Sequence, residues 1–600
     1  MRVADYIFQT LADRGTKHVF LVTGGGAMHL NDALRREKRL IPVCNHHEQA
    51  CAIAAEGYVR AGGEKPAVVS VTTGPGGTNA LTGVIGQWLD SIPVLYLSGQ
   101  VKFETTIRSC PELGLRQLGD QEINIVDIVR PVTKYAAMVT EPEAIREELE
   151  KALYYAQEGR PGPVWLDIPL NVQGALIDPA GLRAFAPPPA APAPAWNPEE
   201  LWTLLRQAKR PAIIAGASIR IAGAEKAFLQ LAEQLQIPLL STFNGVGILP
   251  TDHPLYAGRI GTQGQRAGNF ILQNADLVLS IGSRNNIRQV SYNWQSTCRA
   301  AVKISVDIDP AELKKKLFRP DLAIQRDAGK FIAEFTAYLL PRRSGKPDWS
   351  EWLAWCRERR RRYPAHTAEH RAWKQLVNPY HFMHELTSRA SADWNIVAGN
   401  GTACVALFQT GIVKEGRPMF WNSGCASMGY DLPAAIGACL GNGRPTICLA
   451  GDGSFMMNLQ ELQTVVHRQL PIKIFLLDNN GYGSIKQTQS NFFGNELIGC
   501  DGPSGVSFPD FRRVAAAFGI PDCEIADQTE LTEKIDAVLS MPGPVLCVVR
   551  MPDHLPFAPK LSSKKLPDGR MISKPLEDLY PFLDREEFRS NMIIEPELEE

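Results

Sequence analysis

The chain reads as an α/β protein of three doubly wound parallel-sheet domains, and three features of its 600 residues say so. The first is residues 444–483, RPTICLAGDGSFMMNLQELQTVVHRQLPIKIFLLDNNGYG. An apolar β-branched run breaks at Gly451-Asp452-Gly453; a helical stretch, Pro471 and a second apolar run follow, with a stop at Asn479-Asn480-Gly481. Period and punctuation make this one strand–helix–strand unit. The second feature is a copy of that unit in residues 65–100, KPAVVSVTTGPGGTNALTGVIGQWLDSIPVLYLSGQ. Its prolines (Pro66, Pro93) stand 27 positions apart, against 26 for Pro445 and Pro471. Downstream, GRPGPVWLDIP (159–169) returns as MPGPVLCVVRMP (541–552). The third feature is a separate strand–helix alternation between the copies, from PAIIAGASI to VKISVDIDP. Repetition and alternation together predict two homologous domains flanking a third.

Taken in order, residues 1–15 open an amphipathic helix without the cationic, apolar, small-residue pattern of a secretory signal. An apolar strand at 40–43 runs into NHHEQA and an Ala-rich helix at 51–59, so Glu48 stands at a strand-to-helix junction beside the Gly-rich turn of the next strand. A carboxylate there suits a helix cap as well as chemistry. The Pro/Ala stretch APPPAAPAPAWNP (186–198) predicts an extended tether, and the Arg/Trp-rich stretch 349–371 predicts helix. The expected organisation is a first domain at 1–175, a central one at 199–340, a last one at 375–550, and a tail at 551–600 of mixed charge with several anchoring aromatics.

Composition narrows the function. Apolar content of 44% and charged content of 21% describe an ordinary soluble protein. A formal net charge of −1 argues against a nucleic-acid partner. No apolar run approaches the roughly 20 residues of a membrane span. The 12 cysteines include no C-x-x-C pair and several lie in apolar runs, as in a reduced, cytoplasmic enzyme.

Parallel strands put the two turns of the 444–483 unit at one carboxyl edge of the sheet, which brings Asp452 and Asn479 together across 27 positions. A carboxylate, an amide oxygen and a backbone carbonyl near Gly481 are hard ligands for Mg²⁺ or Ca²⁺, and Mg²⁺ keeps positions open for phosphate oxygens. The glycines let the backbone approach a diphosphate at a helix N-terminus. The earlier copy has Gly74-Pro75-Gly76-Gly77 at the equivalent turn, with no acid to hold a metal.

GDG followed at this distance by an Asn-bearing turn resembles the thiamine diphosphate motif. With HEQACAIAAEGYVRA, TTGPGGTNALTG, LDSIPVLYLSGQV, GRPGPVWLDIP, NSGCASMGYDLPAAIGA and GDGSFMMNLQEL, the chain resembles the acetohydroxyacid synthase group of thiamine diphosphate enzymes over most of its length. The resemblance implies the domain order pyrimidine-binding, central, diphosphate-binding. It also implies a homodimer or homotetramer, with cofactor held between the first domain of one subunit and the last of another. By position, Glu48 would bond the pyrimidine ring and Gln121 face the substrate. Gly24, Gly25, Pro75 and Asn79 would line the pyrimidine side. Asn400, Gly401, Thr402, Gly451, Gly453, Ser454 and Tyr482 would line the diphosphate side, and Met428 would wedge the cofactor into its bent form. Asp452, Asn479 and Gly481 would hold Mg²⁺. The implied activity is decarboxylation of a 2-keto acid, most simply pyruvate, and transfer of the two-carbon unit to a carbonyl acceptor.

The acceptor side departs from the group. Tyr482, Ser484 and Thr488 stand where acetohydroxyacid synthases carry Leu, Met and Trp, and Asp120 replaces an aromatic; Arg288 is the counterpart of the Arg that holds the acceptor carboxylate. More hydrogen-bonding groups and more space suit a polyhydroxylated acceptor, because buried polar groups need partners. The tail and SRNNIRQ are similar to thiamine diphosphate enzymes of bacterial cell-surface polysaccharide pathways. The nearest analogy builds the branch of yersiniose on a nucleotide-linked keto sugar. The alternative is a true acetolactate synthase of branched-chain amino-acid synthesis. Members of the group often hold FAD in the central domain; Ala215-Gly216-Ala217, residues 258–264, Gly282-Ser283-Arg284 and Asp307-Ile308-Asp309 supply turns for such a site.

Overall fold

All strand pairs of the three main sheets are parallel, and each sheet has six strands. The structure, a computed structural model, describes residues 1–189, 192, 194–565, 568 and 570–597. In the first sheet the spatial order is Ile41–Cys44, His18–Leu21, Ala67–Val71, Val94–Gln100, Val164–Pro169, Tyr135–Met138. The third sheet repeats that permutation with Met419–Phe420, Asn395–Ala398, Thr446–Gly451, Ile472–Asp478, Val545–Arg550 and Asp522–Ile525. The register also repeats: Ala67 pairs with Val94 and Thr446 with Ile472, each one residue beyond its proline. Proline has no N–H for the ladder and is tolerated at a strand start, so the four prolines mark where pairing begins in both copies.

The central sheet has the order Leu322–Gln325, Val302–Asp307, Leu277–Ile281, Pro211–Ala215, Leu239–Ser241, Tyr256–Arg259. Strand order reverses between Leu277–Ile281 and Pro211–Ala215, which leaves a crevice outside their carboxyl ends. The Arg/Trp-rich stretch forms helices Ser350–Arg362 and Ala368–Ala372. The indoles of Trp349 and Trp352 donate to the carbonyls of Ala208 and Pro211, at 2.9 Å each, which fixes the first of these helices on the central domain. The described part of 186–197 forms no helix or strand, and residues 190, 191 and 193 of it lie outside the described residues. The tail folds back on the central domain: Leu576 joins its core, Glu577 accepts from Gln273 (2.6 Å) and pairs with Arg299 (2.8 Å), and Phe588 packs on Phe270. No helix among the described residues is long and apolar enough to cross a membrane.

The first and third domains meet through two small-residue helices, Glu48–Ala61 and Asp431–Asn442. They cross at backbone contact. A Cβ on Gly57 would lie 2.2 Å from the Ala434 carbonyl oxygen, and one on Gly437 would lie 1.8 Å from that of Ala54. Backbone atoms cannot swing aside as a flexible side chain does, so only glycine fits. Gly437→Val is expected to cost about 3 kcal/mol of stability by thermal unfolding. Gly181→Ala, where an added Cβ meets nothing within 4 Å, is expected to stay within about 0.5 kcal/mol of wild type.

Candidate active site

Thr446–Gly451 and Ile472–Asp478 are adjacent and in register, so Asp452 and Asn479 emerge at the same sheet edge. Asp452 is 2% exposed. Its two oxygens accept one backbone N–H each, from Gly453 (2.6 Å) and Gly481 (2.8 Å). A carboxylate has about four lone-pair sites, so both oxygens keep capacity for a cation. Burial pushes this carboxyl up to about 6, against the pull of those two N–H groups. No three His, Cys, Asp or Glu side chains among the described residues are grouped to hold a metal. A cation here would therefore rest on Asp452, the Asn479 amide and a backbone carbonyl, an oxygen set that fits Mg²⁺.

Asp452, Asn479, Gly481, Gly451, Gly453 and Ser454 line one cavity of about 1330 Å³, counting the part open to solvent. Asn400, Gly401, Thr402, Met428, Tyr482, Ser484 and Arg288 line it too. Gly401 has φ +62° and caps helix Thr402–Thr410, whose N-terminus therefore opens on the cavity and favours an anion. The Tyr482 ring lies where a Cβ on Gly453 would be, 1.9 Å from its Cε1, so that glycine is needed for the ring to seat. The hydroxyl of Ser454 is already committed: it donates to Asp431 and accepts from the Gly429 N–H. The Arg288 guanidinium stacks over the Phe243 ring at 4.7 Å.

Glu48 begins helix Glu48–Ala61 but does not cap it. The cap is His47, whose Nδ1 accepts from the Gln49 N–H. The Glu48 carboxylate, 8% exposed, accepts instead from the Asn79 amide at 3.0 Å. Asn79 ends the short helix Pro75–Asn79, which follows Gly74 at φ +62°. Gly24 packs against Thr72 with no room for a Cβ. Gly25, Asp120 and Gln121 line a separate cleft of the first domain. Within one chain the structure thus gathers the diphosphate-side residues in one cavity and leaves Glu48, Gln121 and their neighbours outside it.

A third cavity, of about 1180 Å³ with its open part, fills the crevice at the strand-order reversal of the central domain. Ala217, Gly282, Ser283, Arg284, Asp307 and Ile308 line it, and Arg160 of the first domain closes one side. The turn at 258–264 does not line this crevice; its Gln263 lines the Asp452 cavity. A Cβ on Gly216 would meet the Gly282 carbonyl oxygen at 2.1 Å. Gln289 Nε2 and Asn244 Oδ1, on residues lining this crevice, are buried without a hydrogen-bond partner among the described residues, as suits the walls of a polar ligand site. Phe243, Arg288 and Ser423 line both this crevice and the Asp452 cavity.

Three family models match this chain in the same order as its sheets. They are the thiamine pyrophosphate enzyme N-terminal TPP binding domain over residues 1–125, the central domain over 199–335, and the C-terminal TPP binding domain over 399–549. The acetolactate synthase isozyme 1 large subunit of Escherichia coli is 33% identical over 554 residues, covering 91% of this chain and 93% of its own. The probable acetolactate synthase large subunit of Methanocaldococcus jannaschii is 31% identical, covering 96% and 95%. The chain belongs to the thiamine pyrophosphate enzymes. It is an acetolactate synthase-like member, and its cofactor is thiamine pyrophosphate, that is, thiamine diphosphate.

In this thiamine pyrophosphate enzyme the residues expected on the acceptor side separate. Tyr482 and Ser484 face the Asp452 cavity, whereas Thr488 sits one turn further along helix Gly483–Phe493, exposed, with its hydroxyl on the Ser484 carbonyl. Several cavity residues were not singled out in the sequence, among them Phe243, Asn422 and Phe557. Phe557 comes from the tail, and no motif marks it. Glu461, given no role within GDGSFMMNLQEL above, is fully buried and accepts from the Asn45 amide and the His46 N–H, at 2.8 Å each. It ties the segment before Glu48 to the third domain.

Asp452→Ala is expected to abolish the rise in melting temperature produced by thiamine diphosphate with Mg²⁺, while the unliganded protein stays folded. Asp452 is the one charged ligand candidate in the oxygen set, and its removal takes away a negative charge and an inner oxygen. A mutant that keeps the ligand-induced shift would show that another group holds the metal.

Proposed function

We propose that the protein is a Mg²⁺-dependent decarboxylating carboligase that takes a two-carbon unit from a 2-keto acid, pyruvate in the simplest case, and adds it to a second carbonyl compound. The observation that carries this reading is the single cavity in which Asp452, Asn479 and Gly481 meet the N-terminus of helix Thr402–Thr410 and the guanidinium of Arg288. That arrangement offers a cation site, an anion site for a diphosphate, and a cation for a carboxylate. Bound thiamine diphosphate supplies a carbon nucleophile and an electron sink for decarboxylation. The chain's own residues position and exclude. Glu48, held by Asn79, would share a proton with the pyrimidine ring nitrogen; Met428 would set the cofactor's bend; Gln121 would face the donor.

Because Glu48 and Gln121 lie outside the Asp452 cavity of their own chain, a homodimer or tetramer in which two chains complete each site fits the geometry. Domain limits near 175, 199, 340, 375 and 550 go with this reading. FAD is the proposed occupant of the central crevice, whose glycine-lined turns and two unpartnered polar atoms suit a dinucleotide. The free thiols of all 12 cysteines support a cytoplasmic location.

For the acceptor, Tyr482 and Ser484 on the cavity wall favour a polyhydroxylated carbonyl compound such as a nucleotide-linked keto sugar, since their hydroxyls need partners. Acetolactate synthesis is the second reading, supported by the acetolactate synthase relatives and by Arg288, which could hold a second keto-acid carboxylate. Purified protein given pyruvate, thiamine diphosphate and Mg²⁺ separates the two: slow acetolactate formation is expected, and fast turnover at ordinary pyruvate concentrations would overturn the sugar reading. Glu48→Gln is expected to retain thiamine diphosphate binding while slowing donor decarboxylation by about 10²-fold or more, the usual worth of a general acid–base group. A mutant within about tenfold of wild type would remove Glu48 from that role.

A further inference from the structure

Asn422 follows the short strand Met419–Phe420 and is buried where the first and third domains meet. Its amide works in two directions. The oxygen accepts from the backbone N–H groups of Cys425 (3.1 Å) and Ala426 (3.0 Å). Ala426 is held at φ +54°, and its carbonyl accepts from the Asn400 amide at 2.6 Å. Both Ala426 and Asn400 line the Asp452 cavity. On its other side, the Asn422 nitrogen faces the two oxygens of Glu56, at 3.3 and 3.5 Å.

Glu56 is fully buried on helix Glu48–Ala61 and also accepts from Arg60 (2.9 Å) and the Tyr430 hydroxyl (3.1 Å). Arg60 in turn reaches Asp90 at 2.7 Å, and Asp90 accepts from Asn244 of the central domain at 3.2 Å. A carboxylate paired with Arg60 can only accept, so it dictates which end of the Asn422 amide faces it. The oxygen must then point at the turn. From this we infer that Asn422 is a positioning residue for the diphosphate side of the site, and that Glu56 sets its orientation from the first domain. The relay Glu56–Asn422–Ala426–Asn400 makes the cofactor pocket of the third domain depend on a charge in the first. The inference rests on the thiamine diphosphate reading of the Asp452 cavity and names a residue that does not act on the reacting atoms.

The test is titration of thiamine diphosphate, with Mg²⁺ present, into the full chain, together with kcat and KM for pyruvate at saturating cofactor. Asn422→Asp keeps the oxygen that serves the turn but sets a carboxylate against Glu56. It is expected to weaken cofactor binding about tenfold or more, as the loss of a buried hydrogen bond with added repulsion would. Adding Glu56→Gln exchanges the amide and the carboxylate across the same contact. The double variant is expected to recover cofactor binding to within about threefold of wild type. Asn422→Ala buries no new charge and should weaken binding without rescue by Glu56→Gln. Wild-type affinity in either Asn422 variant would overturn the inference, as would failure of the double variant to recover. Absence of thiamine diphosphate binding by the wild-type protein would instead overturn the reading of the cavity.

Discussion

The architecture depends on one contact, the backbone-to-backbone crossing of helices Glu48–Ala61 and Asp431–Asn442. Gly57 and Gly437 let carbonyl oxygens of one helix occupy the space that side chains of the other would fill. Helices brought this close have little freedom to slide, so both helix starts are fixed relative to one another. Glu48 opens one helix, and Met428-Gly429-Tyr430 lead into the other. Glu461 reinforces the contact from the third domain by holding Asn45 and His46 just ahead of Glu48. The duplication therefore produces more than two similar sheets: it produces two edges locked in a defined relation.

Buried acids sit at strand and helix ends of the third and central domains. Asp452 and Asp431 in the third domain and Asp307 in the central one are each pushed up to about 6, mainly by burial. None of the three has a cationic side chain in hydrogen-bond contact among the described residues; they rely on N–H groups and, for Asp431, the Ser454 hydroxyl. An anion removed from water in this way is relieved by an arriving cation or hydrogen-bond donor. Glu56 shows the contrasting solution: its charge is matched inside the protein by Arg60, and it orients Asn422.

The tail and the central domain enter the site by packing. Leu576, Glu577 and Phe588 anchor the tail on the central core, and the segment leading there carries Phe557 into the Asp452 cavity. Phe243, from a loop of the central domain, and Arg288, from its short helix Ile287–Val290, form the boundary between that cavity and the central crevice. The walls of the Asp452 cavity are therefore shared among segments far apart in the chain.

The sequence by itself determined the three α/β domains, their duplication and the turns that carry Asp452 and Asn479. Each of those is local: strand and helix periods, prolines at strand starts, and glycines at turns are set by backbone geometry within a few residues. Parallel pairing then carries Asp452 and Asn479 to one edge without further information. The sequence left open whether Glu48 caps its helix, and the structure gives that task to His47 and turns Glu48 to Asn79. It grouped Thr488 with Tyr482 and Ser484, whereas helix geometry turns Thr488 out to the surface. It assigned no role to Asn422 and Glu461, although both lie in quoted motifs, and nothing marked Phe557, because an ordinary Asn, Glu or Phe gains its role only from what lies across a domain joint. Local chemistry is written in neighbouring residues; a site assembled between domains is decided by which surfaces come close enough to exclude water, and only the packed chain decides that.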